Sequence, residues 1–437
     1  MSSRIDFNPS KNLNILEKID DHEPHSGREP HVSGTLVLRP SGDDSSGRVD
    51  LEVISNDKDL TVKADWDTDN QFFKVITPRG VDWDSSSLRP CIQIRITVWV
   101  PSEASLHRFE ADITHLDIDV ISGMDLSLAD KAFFTSVVGD ISTPKPSNDV
   151  LPYKLASREI RLQTVSGDVT GWYPLYDLLS ISTASGDVSA DVAPKAVDDA
   201  RPKSAVLNVA SISGDLNLKE PLDVALKSSK AESSIPARDY IVKMETTSGH
   251  IRADLAVSSS AKFSTQSGDF NLRLWPVLDS GLEPSITTDT KSGDTNLYLL
   301  EPRWIKMQGL EGREGLEVPS DNGDSDAKGE DSDGPYLIIH PHNERSYSTD
   351  SYGKAALSSL RSKHTSISGT MLLRYPASWT GSLEGQTVSA SQKFRGKGLT
   401  TIKSRFPPTI KGSKGSGNSY LEVNTISGDQ DFLVGEE

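Results

Sequence analysis

Apolar and polar residues alternate through most of this chain, and the alternation repeatedly slips by one position at a glycine. Ile160, Leu162, Thr164 and Ser166 share one face of an extended segment, and past Gly167 the apolar role passes to Val169, three residues beyond Ser166. The same slip carries Leu207, Val209, Ser211 and Ser213 into Leu216 and Leu218, and Phe263, Thr265 and Ser267 into Phe270, Leu272 and Leu274. It recurs where Val242, Met244, Thr246 and Ser248 give way to Ile251, Ala253 and Leu255. Side chains alternate with period two along a strand, so an odd step returns apolar groups to one interior only if the chain bends there.

The bends carry a common motif. Ser-Gly-Asp, or a degenerate copy of it, occurs ten times, at Gly123, Gly139, Gly167, Gly186, Gly214, Gly249, Gly268, Gly293, Gly369 and Gly428. The acid follows directly as Asp140, Asp168, Asp187, Asp215, Asp269, Asp294 and Asp429, whereas His250 and Thr370 replace it in two copies and Met124 is inserted in the first. From Gly123 to Gly293 the glycines lie 16, 28, 19, 28, 35, 19 and 25 residues apart, coil lengths of a solenoid with loops of variable size. The expected fold is all-β, a right-handed β-solenoid or β-helix of irregular Ser-Gly-Asp repeats, with stacked β-hairpins as the alternative. In the solenoid, glycine bends the strand in a positive-φ or bulge conformation; in the hairpins, Gly-Asp is a two-residue type II′ loop. In either, Asp is expected to accept backbone N–H groups of its own turn.

The pattern divides the chain. Residues 1–31 are polar with scattered charge and read as a disordered tail; 32–105 hold β-rich runs that suit a lead-in sheet or cap; 106–300 are the solenoid repeats. Residues 301–335 form an acidic insertion expected to be disordered, with nine acidic against two basic side chains between 311 and 334. Residues 336–437 resume the solenoid and contain a basic loop. Between Gln386 and Leu421 lie Lys393, Arg395, Lys397, Lys403, Arg405, Lys411 and Lys414 and no acid, a candidate anion-binding patch.

The motif T-x-S-G-D-[apolar]-x-[apolar], from about Leu116 to Leu299 with a detached copy near Leu421 to Val434, resembles the adhesin family of β-solenoid proteins known as the DUF4097 group. That resemblance implies a solenoid body with an adhesin-like role and no established catalysis.

Charge and motif content narrow the chemistry. A net charge of −17 argues against a general nucleic-acid or anionic-membrane binder, because phosphate neutralisation needs excess Lys and Arg, although a local basic patch is compatible with it. No run of about 18 apolar residues encodes a membrane span, and residues 1–31 lack the apolar core of a secretory signal, so the default compartment is cytoplasmic, with surface association if the N-terminus is incomplete. Cys91 is the single cysteine; it excludes an intrachain disulfide and is expected to pack at the start of a strand through Val100. The serines sit in no G-x-S-x-G elbow and read as turn residues. His340 and His342 flank Pro341, which favours a loop over a metal site, and the EF-hand-like Asp324 and Asp326 are followed by Lys328 at a ligand position. Nucleotide and zinc-protease motifs are missing. No catalytic residue, metal or cofactor is therefore expected, and the partner is an unidentified protein or glycan. The alternative is a carbohydrate-active β-helix enzyme, suggested by Gly249-His250-Ile251-Arg252, although the paired acids of such enzymes are absent.

Overall fold

A computed structural model describes residues 1–20, 29–42, 46–58, 60–80, 89–102, 104–146, 153–198, 200–227, 235–305 and 355–435. Among them the alternating segments build two long sheets of 16 strands each, paired almost entirely in parallel, with a small three-stranded sheet beside them. Each coil has the same plan. An approach strand such as Glu159–Thr164 runs into a Ser-Gly corner, the chain bends, and a departure strand such as Val169–Leu175 leaves in the opposite sheet. Parallel register between successive coils excludes stacked hairpins, so the fold is the solenoid.

Register lines the interior with columns. In the approach sheet, Phe134, Leu162, Ile181, Val209, Met244 and Phe263 follow one another from coil to coil. In the departure sheet, Ile141, Val169, Val188, Leu216, Ile251 and Phe270 do the same. These β-branched and large apolar side chains are buried on one face while their strand neighbours face outward, which is the slipped alternation read in three dimensions.

The irregular spacing arises on the edge opposite the glycines. Two residues connect Leu175 to Leu178 and Val257 to Ser260, in the two coils with 19-residue glycine spacing. Elsewhere that edge carries the single helix among the described residues, Leu222–Lys227, and longer loops.

Several expectations need correction. The tail expected over 1–31 is ordered where it is described: Ser2–Phe7 and Leu13–Ile19 are strands, and the latter pairs in parallel with Phe109–Ile113, while 21–28 lie outside the described residues. The lead-in segment is continuous with the same sheets, since His31–Pro40 pairs with Asp117–Val120. The basic stretch is not a loop but three strands, Gln392–Gly396, Thr400–Arg405 and Pro408–Lys414. Cys91 does open the strand Cys91–Val100 but is only half-buried. The acidic insertion expected over 301–335 does not begin at 301, because Arg303–Trp304 is a short strand paired with Phe270–Leu278; its remainder, 306–335, and His340 and His342 lie outside the described residues. No helix among the described residues is long and apolar enough to cross a membrane.

Candidate functional site

The glycine edge is a set of ladders. A Cβ added at Gly167 would lie 2.0 Å from the carbonyl oxygen of Gly139; at Gly186, Gly214 and Gly249 it would lie 1.8–1.9 Å from the glycine carbonyl of the preceding coil. The contact recurs at 2.0 Å for Gly268, Gly293, Gly369 and Gly428, and Gly139 meets Leu116 in the same way. Among these nine corners only Gly293 and Gly369 have positive φ, and both lie near the extended limit. Glycine is needed for close approach between coils, and the positive-φ or bulge expectation is replaced. Gly123 is the exception. It lies on the turn between Asp117–Val120 and Asp125–Leu128, outside the column, with nothing nearer to an added Cβ than Pro40 Cγ at 4.0 Å.

Three residues before each glycine sits a buried Thr or Ser. Gly186 N–H donates to Thr183 Oγ1 at 2.9 Å, and Thr183 Oγ1 donates to Gly167 O at 3.3 Å. Ser211 and Thr246 reach back to Gly186 and Gly214 likewise. The serine next to each glycine is exposed instead, so the corner offers no buried, activated nucleophile.

The acid after each glycine serves the next coil, not its own turn. Asp140 Oδ1 accepts the Asp168 N–H at 2.8 Å, Asp168 that of Asp187, Asp187 that of Asp215, and Asp215 that of His250. His250 keeps the ladder by accepting from Asp269 N–H through Nδ1 at 3.0 Å, which requires its proton on Nε2. Asp269 then accepts from Asp294, and Asp294 from Thr370 at 2.7 Å. One oxygen of each carboxylate is thus committed to coil stacking.

The same bonds reveal a copy that sequence reading missed. Ser389 N–H donates to Ile426 O and Ser391 N–H to Asp429 Oδ1, the pairings that Ser166 N–H makes to Val137 O and Asp168 N–H to Asp140 Oδ1. Thr387-Val388-Ser389-Ala390-Ser391 is therefore a further corner, joining Gly381–Gln386 to Gln392–Gly396. Its first three residues repeat Thr164-Val165-Ser166, a signal that a search keyed on Gly-Asp passes over.

All seven residues of the basic patch lie on this last coil and its hairpin, spread over both sheets and both edges rather than gathered into one cluster. Lys393 and Arg395 are on the departure strand, Arg395 pairing with Asp431 at 3.3 Å, and Lys411 pairs with Glu384 at 3.3 Å. Lys414 donates to Ala377 O, and Lys403 to Gln392 O at 3.4 Å. Lys397 and Arg405 are exposed. The strand Thr400–Arg405 is exposed at every residue and forms the outer limit of the approach sheet.

Two buried polar sites also escaped the alternation pattern. His364 occupies an interior position, bonded to Thr288 Oγ1 at 2.8 Å and Tyr375 OH at 2.9 Å, and burial pushes its imidazole down to about 3. Glu220 lies buried at the start of the helix, accepting the Ala256 N–H at 2.7 Å, and burial raises it to about 8, with Asp254 adding to the shift. On the variable edge, Asp177 bridges Arg158 and Arg238, while Arg238 also donates to Lys195 O and Lys203 O. That network clamps the long connections. Among the described residues no three His, Cys, Asp or Glu side chains converge as a metal would require.

The family description Toastrack DUF4097 matches residues 33–309, well over half of the chain. No curated protein matches it. Among solved structures, a "putative cell adhesion protein" from Clostridium sporogenes aligns over 99% of each chain at 8% identity and a TM-score of 0.14, too low a score to relate the two folds.

Proposed function

Because this chain belongs to the Toastrack DUF4097 family, we propose that it is a non-enzymatic, adhesin-like interaction or scaffold protein whose partner is a protein or a glycan. One observation supports this reading above the rest: the buried Thr or Ser hydroxyl, one carboxylate oxygen and the glycine of the repeat motif are committed to holding coil on coil. What remains for recognition is the outward face of the two sheets and the connections on the variable edge. The default compartment in this reading is cytoplasmic.

Binding and turnover assays separate this function from a carbohydrate-active enzyme. The protein is expected to retain specific glycans on an array, or a specific protein in a pull-down, without releasing reducing ends from any polysaccharide. Release of reducing ends from a purified preparation would overturn it.

A further inference from the structure

Two residues before each corner glycine the side chain points outward, and these positions are apolar in two runs, Val137, Val165, Ala184 and Ile212 in the first half and a second at the C-terminal end, which alone adjoins the cationic hairpin. Ile367, Ile426 and Val388 lie on three successive corners, each exposed by about half or more. The row runs on into the hairpin: Thr387 N–H donates to Pro408 O, which sets Val388 beside the hairpin turn Phe406-Pro407. There Phe406 is 91% exposed, and Ile402, in the strand that leads into the turn, is 79% exposed. The edge of a corner and the tip of a hairpin are convex features, with the side chains standing outward.

Around this ridge the charge is positive. Of the seven cations of the basic patch, Lys393, Lys403 and Arg405 lie at this end of the last coil and its hairpin, whereas Lys397 and Lys414 lie towards the opposite edge; Glu384, Asp429 and Asp431 face Lys411, Lys393 and Arg395. Arg374 adds a further cation against Asp431. Local charge therefore opposes the −17 of the whole chain.

We propose that this end of the solenoid docks on the surface of an anionic phospholipid bilayer, with Phe406, Ile402 and Val388 entering the headgroup layer and the flanking cations lying over the lipid phosphates. A convex apolar tip with Lys403 and Arg405 on the strand leading to it and Lys393 at the adjoining corner fits a deformable anionic surface better than a protein partner, which would need a pocket to receive an isolated Phe. The unpaired backbone of Thr400–Arg405 limits the docking to the hydrated interface, since it has no partners in hydrocarbon. Each basic residue near such a surface is worth about a fivefold gain in binding, so even the unpaired excess of cations suffices for measurable affinity. This proposal is independent of what the outward sheet faces bind.

Flotation of the full chain with phosphatidylcholine vesicles, with and without phosphatidylserine, tests it. Binding is expected only when phosphatidylserine is present, and it should fall steeply with added salt. Lys403→Glu with Arg405→Glu should lower it at least about tenfold. Phe406→Ser should weaken it several-fold while the melting temperature stays unchanged, because that side chain is outside the core. A dye on Phe406→Cys in a Cys91→Ser background should shift to the blue on vesicle addition, and a dye on Ser189→Cys, on the outward departure face, should not. Absence of binding, equal binding to both vesicle types, or binding indifferent to Phe406→Ser would overturn the proposal. So would an oligomer in solution that the same substitutions dissolve without any vesicle binding, since the ridge would then be a self-interface.

Discussion

A single atom decides each corner. The Cβ of alanine at Gly249 would sit 1.9 Å from the Gly214 carbonyl oxygen, so two coils must separate, whereas an added Cβ at Gly281 meets nothing within 4 Å. Gly249→Ala is therefore expected to cost about 1–3 kcal/mol in urea unfolding and Gly281→Ala to stay within about 0.5 kcal/mol; equal effects would refute close approach as the reason for glycine. Alanine occurs naturally at position 390 on the outermost coil, whose departure strand Gln392–Gly396 ends its sheet, so that this corner can shift outward. The buried titratable groups give a second residue-scale prediction. His364 is near 3 when folded and about 6.5 when unfolded, so the unfolded chain takes up the proton first as pH falls, and stability is lost between pH 6.5 and 3. Glu220 is near 8 when folded and 4.5 when unfolded, so the unfolded chain releases its proton first as pH rises, and stability is lost between pH 4.5 and 8. Their opposed slopes leave an optimum between about pH 4.5 and 6.5. Glu220→Gln, which keeps the acceptor for Ala256, should flatten the alkaline limb of denaturation midpoint against pH, and His364→Gln should flatten the acid limb.

At the scale of the strand and its corner, the aspartate ladder is a hydrogen-bond device with a charge cost. Asp187 must accept the Asp215 N–H, but its negative charge faces Asp168 and Asp215 in adjacent coils. Asp187→Asn keeps an acceptor and removes repulsion, so it should leave stability unchanged or slightly raised, whereas Asp187→Ala should lose about 1–2 kcal/mol by orphaning that N–H. Equal losses in thermal unfolding would mean that the charge itself is needed. The ladder also marks what could be read from sequence. Parity around Gly167, Gly214 and Gly268 located strands and corners correctly because period two and the bend are local properties of the chain. The acceptor role of Asp could not be read, because its donor lies 19 to 76 residues away across a coil boundary. Gly123 was misplaced because a turn glycine on any edge looks alike when its spatial neighbours are hidden. Thr387-Val388-Ser389 was missed because the terminal corner has lost the glycine and acid that only an enclosed coil requires. His364 breaks the apolar pattern of its column, and only its partners Thr288 and Tyr375 explain how a polar ring is tolerated there.

Over the whole molecule, stability is a sum of contacts between neighbouring coils, and the two sheets run unbroken from the first strands to the last. The first 20 residues looked like a tail because their charges dominate a short window, yet Ser2–Phe7 pairs antiparallel with Gly47–Ser55 and Leu13–Ile19 pairs in parallel with Phe109–Ile113, partners distant in sequence. Electrostatics acts on this long body in two opposite senses. The acids Asp117, Asp140, Asp168, Asp187 and Asp215 form one row on successive coils, each linked to the next by a hydrogen bond. Adjacent strands lie about 4.8 Å apart, well inside the screening length of about 10 Å at 0.1 M salt. Like charges directly opposite across strands cost about 0.2–1 kcal/mol per pair, and the net charge of −17 adds repulsion over the whole chain. Surface ion pairs such as Lys262–Glu245, 2.9 Å apart, are worth little and are screened as well. Repulsion therefore dominates, and added sodium chloride should raise the melting temperature of the dilute protein, with an effect on the order of 2 kcal/mol between low and physiological ionic strength. Neutralising Asp168 and Asp187 together as Asn should shrink that dependence, because the acceptors stay while the central charges go. A melting temperature that falls with salt would show that the paired cations, not the carboxylate row, govern the molecule's electrostatic balance.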